Sequence, residues 1–276
     1  VGAHQPVAFD PAGKFDPAGK TVVVTGAGNG IGAGLAAAMA ARGARVVVAD
    51  LDAEGVTRTV ATIVDAGGTA HPAPGDAASQ EGVDVLIATA REAYGPIDAW
   101  FANAGVDRGR GLEATDADWD LSWNVNVLAH VHAARRLIPE WIERGGGRFV
   151  VTASAAGLLT MLGAPAYSVT KHGAVAFAEW LSATYRHRGI VVQAICPQGV
   201  QTRMLQQSGP LEELLSHDVA LTVEDVAATV EKALDGDDFL ILPHPEVAGY
   251  YQTRAAQTDR WLAGMNKLQQ RLDAAD

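Results

Sequence analysis

Cysteine is nearly absent. Cys196 stands alone, so no disulfide can form within the chain. It lies in the apolar run I-V-V-Q-A-I-C, where nothing would lower its pKa, and a buried thiol is expected instead of a nucleophile. Long hydrophobic runs are missing too: no stretch of about 18 apolar residues exists, so no membrane-spanning helix is expected. No basic segment followed by an apolar one opens the chain, and a cytoplasmic location is expected. Positive charge is short, with 21 Lys and Arg against 32 Asp and Glu and a net charge of -11. Such a chain repels phosphate backbones and anionic lipid, so neither nucleic acid nor a membrane surface is an expected partner. The histidines are scattered, with no H-E-x-x-H and none paired with cysteine, and no metal site is expected.

What is present is alternation. Strand-like runs occur at 20–26, 44–50, 69–73, 97–103, 148–154, 190–196 and in D-F-L-I-L-P. Between them lie helix-like stretches at 30–42, 52–66, 79–94, about 116–144 and about 166–188, and one capped by Thr222 and Asp225. Repeated strand–helix units predict a parallel sheet with right-handed crossovers. Runs such as V-V-V lack polar alternation, as strands covered on both faces should. The expected fold is α/β: a single doubly wound domain with a seven-stranded parallel sheet. Residues 1–17 form an arm containing most of a duplicated F-D-P-A-G-K, residues 18–243 the domain, and residues 244–276 a helical tail. In the tail, Trp261, Met265, Leu268 and Leu272 make one stripe. It is expected to pack on its own fold or on a neighbouring subunit instead of serving as an active-site lid.

T-G-A-G-N-G-I-G (25–32) follows the first strand and opens a helix. Its glycines let the backbone approach a pyrophosphate, and the helix N-terminus offers unpaired N–H groups. Gly26, Asn29, Gly30, Ile31 and Gly32 are the candidate contacts. Asp50 ends the second strand, eighteen residues past Gly32, with Leu51 beside it. A carboxylate there accepts hydrogen bonds from ribose hydroxyls and repels a 2′-phosphate, which favours NAD over NADP. The plainer reading of Asp50 is a cap for the next helix.

Y-S-V-T-K places Tyr167 and Lys171 one helical turn apart. With T-G-x-x-x-G-I-G and N-A-G ahead of it, the chain resembles the short-chain dehydrogenase/reductase family over about residues 18–243. The resemblance implies strand order 3-2-1-4-5-6-7 and a catalytic tetrad of Asn126, Ser154, Tyr167 and Lys171, with Asn124 a nearby rival to Asn126. It also implies cofactor contacts from Asp76, Ala77, Asn103, Ala104, Gly105, Tyr167, Lys171, Pro197, Val200 and Thr202. Gln198 departs from the family, which has glycine in its place.

The implied chemistry is alcohol oxidation: Tyr167 takes the hydroxyl proton, Ser154 steadies the substrate oxygen, and Asn126 holds a water that relays the proton from Lys171. Lowering a phenol from about 10 to about 7.5 takes roughly 3.4 kcal/mol. An ammonium about 4–5 Å away at an effective dielectric of about 20 supplies that much. The apolar segments around Ala156, Leu158, Met161, Met204 and Leu205 imply an apolar secondary alcohol or ketone as substrate, although these residues could equally pack on one another or on a partner. The rivals are an NADPH-dependent 3-oxoacyl reductase, which Asp50 opposes, and a non-catalytic dinucleotide sensor or scaffold. A homodimer or homotetramer is implied through the two long helices, with Trp119, Trp123, Trp141, Phe177 and Trp180 as candidate interface residues.

Overall fold

The computed structural model describes residues 14–206 and 220–274. β1 (Thr21–Thr25), β2 (Arg45–Asp50), β3 (Thr69–Pro74), β4 (Ala99–Ala102), β5 (Gly147–Thr152), β6 (Ile190–Ile195) and β7 (Leu240–Ile241) form one sheet. Its order is β3-β2-β1-β4-β5-β6-β7, and every neighbouring pair is parallel. The sheet is covered on both sides, and β1 shows why its run is uniformly apolar. Val23 points into the core beneath α3 (Gln80–Tyr94), α5 (Ala129–Glu143) and α6 (Pro165–Tyr185). Val22 and Val24 point into the opposite core, beneath α1 (Gly30–Ala41), α2 (Ala53–Asp65) and α8 (Val223–Ala233). The strand order reverses between β1 and β4. That reversal opens a crevice at the carboxyl ends of the strands.

Local chemistry starts several helices. Thr115 and Asp118 cap α4 (Asp116–Trp123) reciprocally, at 3.2 and 3.0 Å, and Thr222 and Asp225 do the same for α8 at 3.1 and 3.0 Å. Two expected single helices are broken. The stretch 116–144 carries a π turn at Asn124–Leu128 between α4 and α5. The tail is two helices, α9 (Glu246–Ala256) and α10 (Thr258–Asp273), separated at Gln257, whose backbone leaves the helical region. A short α7 (Arg203–Gln206) follows β6; Leu211 and Leu214, two further apolar pocket candidates in the sequence, lie outside the described residues. The second F-D-P-A-G-K copy is docked at its start: Phe15 packs against the core, and its ring lies 5.2 Å from the Arg148 guanidinium. Trp141 cannot serve at a subunit interface, because it is wholly buried and its indole donates to the Ile97 carbonyl at 2.7 Å. Trp123 and Trp180 are exposed. Among the described residues no helix is long and apolar enough to cross a membrane.

Candidate active site

The crevice holds a cavity of about 1360 Å³. Its floor at β1 depends on two glycines. Gly26 has φ +65°, and a side chain on it would stand 2.7 Å from the Ala104 backbone. A Cβ on Gly32 would stand 2.2 Å from the Gly26 carbonyl oxygen, so α1 can approach the strand this closely only without one. Asn103 braces the turn: its Nδ2 donates to the carbonyls of Thr25 and Gly26 at 3.0 and 3.2 Å. Asn29, at the N-cap of α1, makes no side-chain cap bond, so the N–H groups of the first turn face the cavity without a cap from that residue. This cradle fits the pyrophosphate of a dinucleotide.

Asp50 borders the same cavity. Its carboxylate accepts from the N–H of Gly28 at 2.9 Å and of Asp52 at 3.0 Å, so it braces the glycine loop rather than capping α2. Asp52 is the cap, accepting from Gly55 N–H at 3.0 Å. Leu51, Asp76, Ala77, Asn103, Ala104 and Gly105 line the cavity too, as do Pro197, Val200 and Thr202 from the loop after β6. Gln198 lies among them; its N–H donates to His244 Nδ1 at 3.1 Å, and its side-chain oxygen is buried without a hydrogen-bond partner.

Ser154, Tyr167 and Lys171 converge on the cavity. Ser154 follows β5, and its hydroxyl accepts from Ala156 N–H at 3.1 Å. Pro165 opens α6 and places Tyr167 in its first turn. Lys171, one turn on, donates to the Thr152 carbonyl at 2.8 Å and sits 5.6 Å from the centre of the Tyr167 ring. All three are almost fully buried. That burial works against the expected phenolate. Desolvation pushes the Tyr167 phenol up to about 12, while a hydrogen bond with Ser154 pulls the other way. Desolvation also brings the Lys171 ammonium down to about 8. The dry pocket that strengthens the pair's attraction also disfavours both charges.

Asn126 does not line the cavity. It is fully buried behind Gly105, and all its side-chain bonds are internal. Its Oδ1 accepts from Val106 N–H, and its Nδ2 donates to Val106 O and Thr170 Oγ1, each at 2.9 Å. Asn124, the rival, does border the cavity, on its exposed side. Among the expected pocket residues, Ala156, Met161, Met204 and Leu205 line the cavity. Leu158 does not: its side chain is buried in the core. Further lining residues had no motif to mark them. Asp107 is one, held by Arg110 through two bonds of 2.8 and 3.1 Å. Another is the tail, where Trp261, Met265 and Leu268 border the cavity, Trp261 also packing against the larger core. Their 4-and-3 spacing was the available signal, read as packing.

A model of the short chain dehydrogenase family matches residues 20–213. The chain is 34% identical over 232 residues to 1-deoxy-11-beta-hydroxypentalenate dehydrogenase of Streptomyces exfoliatus, covering 82% of this chain and 84% of that one. It is 29% identical over 253 residues to a CLA biosynthesis dehydrogenase/reductase of Lactiplantibacillus plantarum, covering 82% and 88%. A short chain dehydrogenase/reductase from Burkholderia phymatum, solved in complex with NAD, superposes with a TM-score of 0.82 at 29% identity, covering 89% of this chain and 96% of that one.

Proposed function

The chain belongs to the short-chain dehydrogenase/reductase family and is an oxidoreductase acting on a CH–OH group with a nicotinamide dinucleotide; from that premise we propose that it uses NAD to interconvert an apolar secondary alcohol and its ketone, with Tyr167 as acid and base. The dinucleotide, when bound, takes up or gives the hydride. The rest falls to the chain. The glycine cradle holds the pyrophosphate, with Asp76 and Ala77 beside the adenine and the 197–202 loop beside the nicotinamide. Asp50 accepts from the ribose hydroxyls, and its charge excludes a 2′-phosphate. Lys171 adds a contact to the second ribose.

At the reacting carbon, Ser154 donates to the substrate oxygen and Tyr167 exchanges the proton. A phenol that is protonated at neutral pH gives its proton to a forming alkoxide during ketone reduction. For oxidation it must first lose that proton, so oxidation quickens as pH rises. Asn126 acts as a positioning residue: it ties Val106 to Thr170 and so fixes Gly105 against Lys171. Residues 18–243 form the catalytic domain and 244–276 a tail, and copies of the chain associate as a dimer or tetramer through the stretch 116–144, which comprises α4 and α5, and through α6.

One observation carries this reading: Asp50 and the Ser154–Tyr167–Lys171 cluster border a single cavity. Apolar lining at Ala156, Met161, Met204 and Leu205 supports the substrate class. So does the relative named for a hydroxypentalenate. The test is a panel of secondary alcohols with NAD and with NADP, read by absorbance of the reduced cofactor. Turnover of apolar members with NAD supports the reading. Preference for NADP would favour a reductase of 3-oxoacyl type, and NADH binding without turnover a non-catalytic dinucleotide binder.

A further inference from the structure

Helix α10 carries apolar side chains, Met265 and Leu268, that belong to no core cluster, and a third, Trp261, that only edges one. None of its 16 residues is fully buried, and α9 is its principal packing partner among the described elements. Trp261, Met265 and Leu268 fall at spacings of four and three, which places them on one face. That face borders the same cavity as Ser154 and Tyr167, and Met161, Leu162 and Leu205 border it as well. The helix pair is tied down at its base. Val247 is fully buried, Arg254 donates to the Leu158 carbonyl, and Trp261 leans on the larger core. Past Trp261 the stripe extends along the cavity, half-covered.

An apolar stripe in this position is stable only when something covers it. The cavity, at about 1360 Å³, exceeds the roughly 300–1,000 Å³ of a pocket for one ligand, so room remains beside a dinucleotide. We propose that Trp261, Met265 and Leu268 form the specificity-determining wall of the substrate site, and that the apolar body of a bulky alcohol or ketone lies between them and Met161, Leu162 and Leu205. Continuity of the stripe with the catalytic cavity favours substrate over a second copy of the chain as its cover. The inference rests on the reading above, in which Ser154 and Tyr167 mark the reacting carbon.

The test is a size series, cyclopentanol to cyclododecanol, assayed with NAD on the wild type, Leu268→Asp and Met265→Ala. In the wild type kcat/KM rises with ring size. In the variants the advantage of the largest ring over the smallest falls by about tenfold or more, through KM and not kcat. NADH binding, followed by its fluorescence, checks that each variant is folded; Leu268→Ala replaces Leu268→Asp if it is not. Binding of cyclododecanone to the NAD-loaded protein, read by tryptophan fluorescence, decides the wall even without turnover, so failure of the catalytic reading stays separate. A flat series in the wild type overturns the inference. So do variants that keep the wild-type slope, or that change only the mass in solution, as a subunit contact would.

Discussion

Replacing Lys171 by methionine removes the cation beside Tyr167 while nearly preserving volume. Its nitrogen lies 5.6 Å from the centre of the phenol ring. At an effective dielectric of about 20, a unit charge at that distance favours the phenolate by about 3 kcal/mol, or about 2 pK units. Burial pushes the phenol up, and loss of the cation acts in the same direction. At neutral pH the phenolate fraction then falls about 100-fold. The phenolate that remains is a stronger base and recovers part of the rate, so kcat/KM for oxidation falls about 10- to 100-fold. The loss is pH-dependent with a definite sign. Burial lowers the Lys171 ammonium to about 8; above that pH the wild type sheds the charge too, and the two enzymes converge. The assay is kcat/KM for alcohol oxidation from mildly acid to alkaline pH, with Lys171→Arg as the charge-keeping control. A loss equal at every pH would mean structural damage, such as the orphaned Thr152 carbonyl, and would refute the electrostatic reasoning.

Three further substitutions bear on the frame around that pair. Asp50→Ser removes the charge that repels a 2′-phosphate, so the NAD-over-NADP ratio of kcat/KM falls at least about tenfold; an unchanged ratio means Asp50 does not read the ribose. Gly32→Ala forces a Cβ to within 2.2 Å of the Gly26 oxygen, so urea unfolding shows a loss of about 1–3 kcal/mol together with weaker NADH binding. A wild-type midpoint would show that the cradle yields without cost. Asn126→Leu strands the Val106 N–H and carbonyl, at about 1–3 kcal/mol per orphaned group, and weakens catalysis through the displaced Gly105. Full activity in a destabilised variant would leave Asn126 a purely structural residue.

Much of this frame was legible because its determinants are short-range. The β1 valines face alternate cores, and the run V-V-V says so directly. The Thr115–Asp118 and Thr222–Asp225 boxes join residues three apart, within the span of a motif. Tyr167 and Lys171 are one turn apart for the same reason. What escaped depends on contacts distant in sequence. The π turn at Asn124–Leu128 shifts the helical register without a glycine or proline to mark it. The break at Gln257 is equally unmarked. Leu158 and Leu159 are alike in composition, yet only the second borders the cavity, because the chain turns between them. Asp107 stands out only once Arg110 and the cavity are seen around it. The effect of burial on Tyr167 was also invisible: the proximity of a cation can be read from spacing, the dryness of a pocket cannot.

The most direct measurement is hydride transfer in a single turnover by Tyr167→Phe loaded with NAD, set against its NADH affinity. If the phenol exchanges the substrate proton, transfer slows by about 10²–10⁴-fold while NADH binds as in the wild type. Transfer within a few-fold of the wild-type rate would contradict that role and move the acid–base chemistry to another group in the cavity.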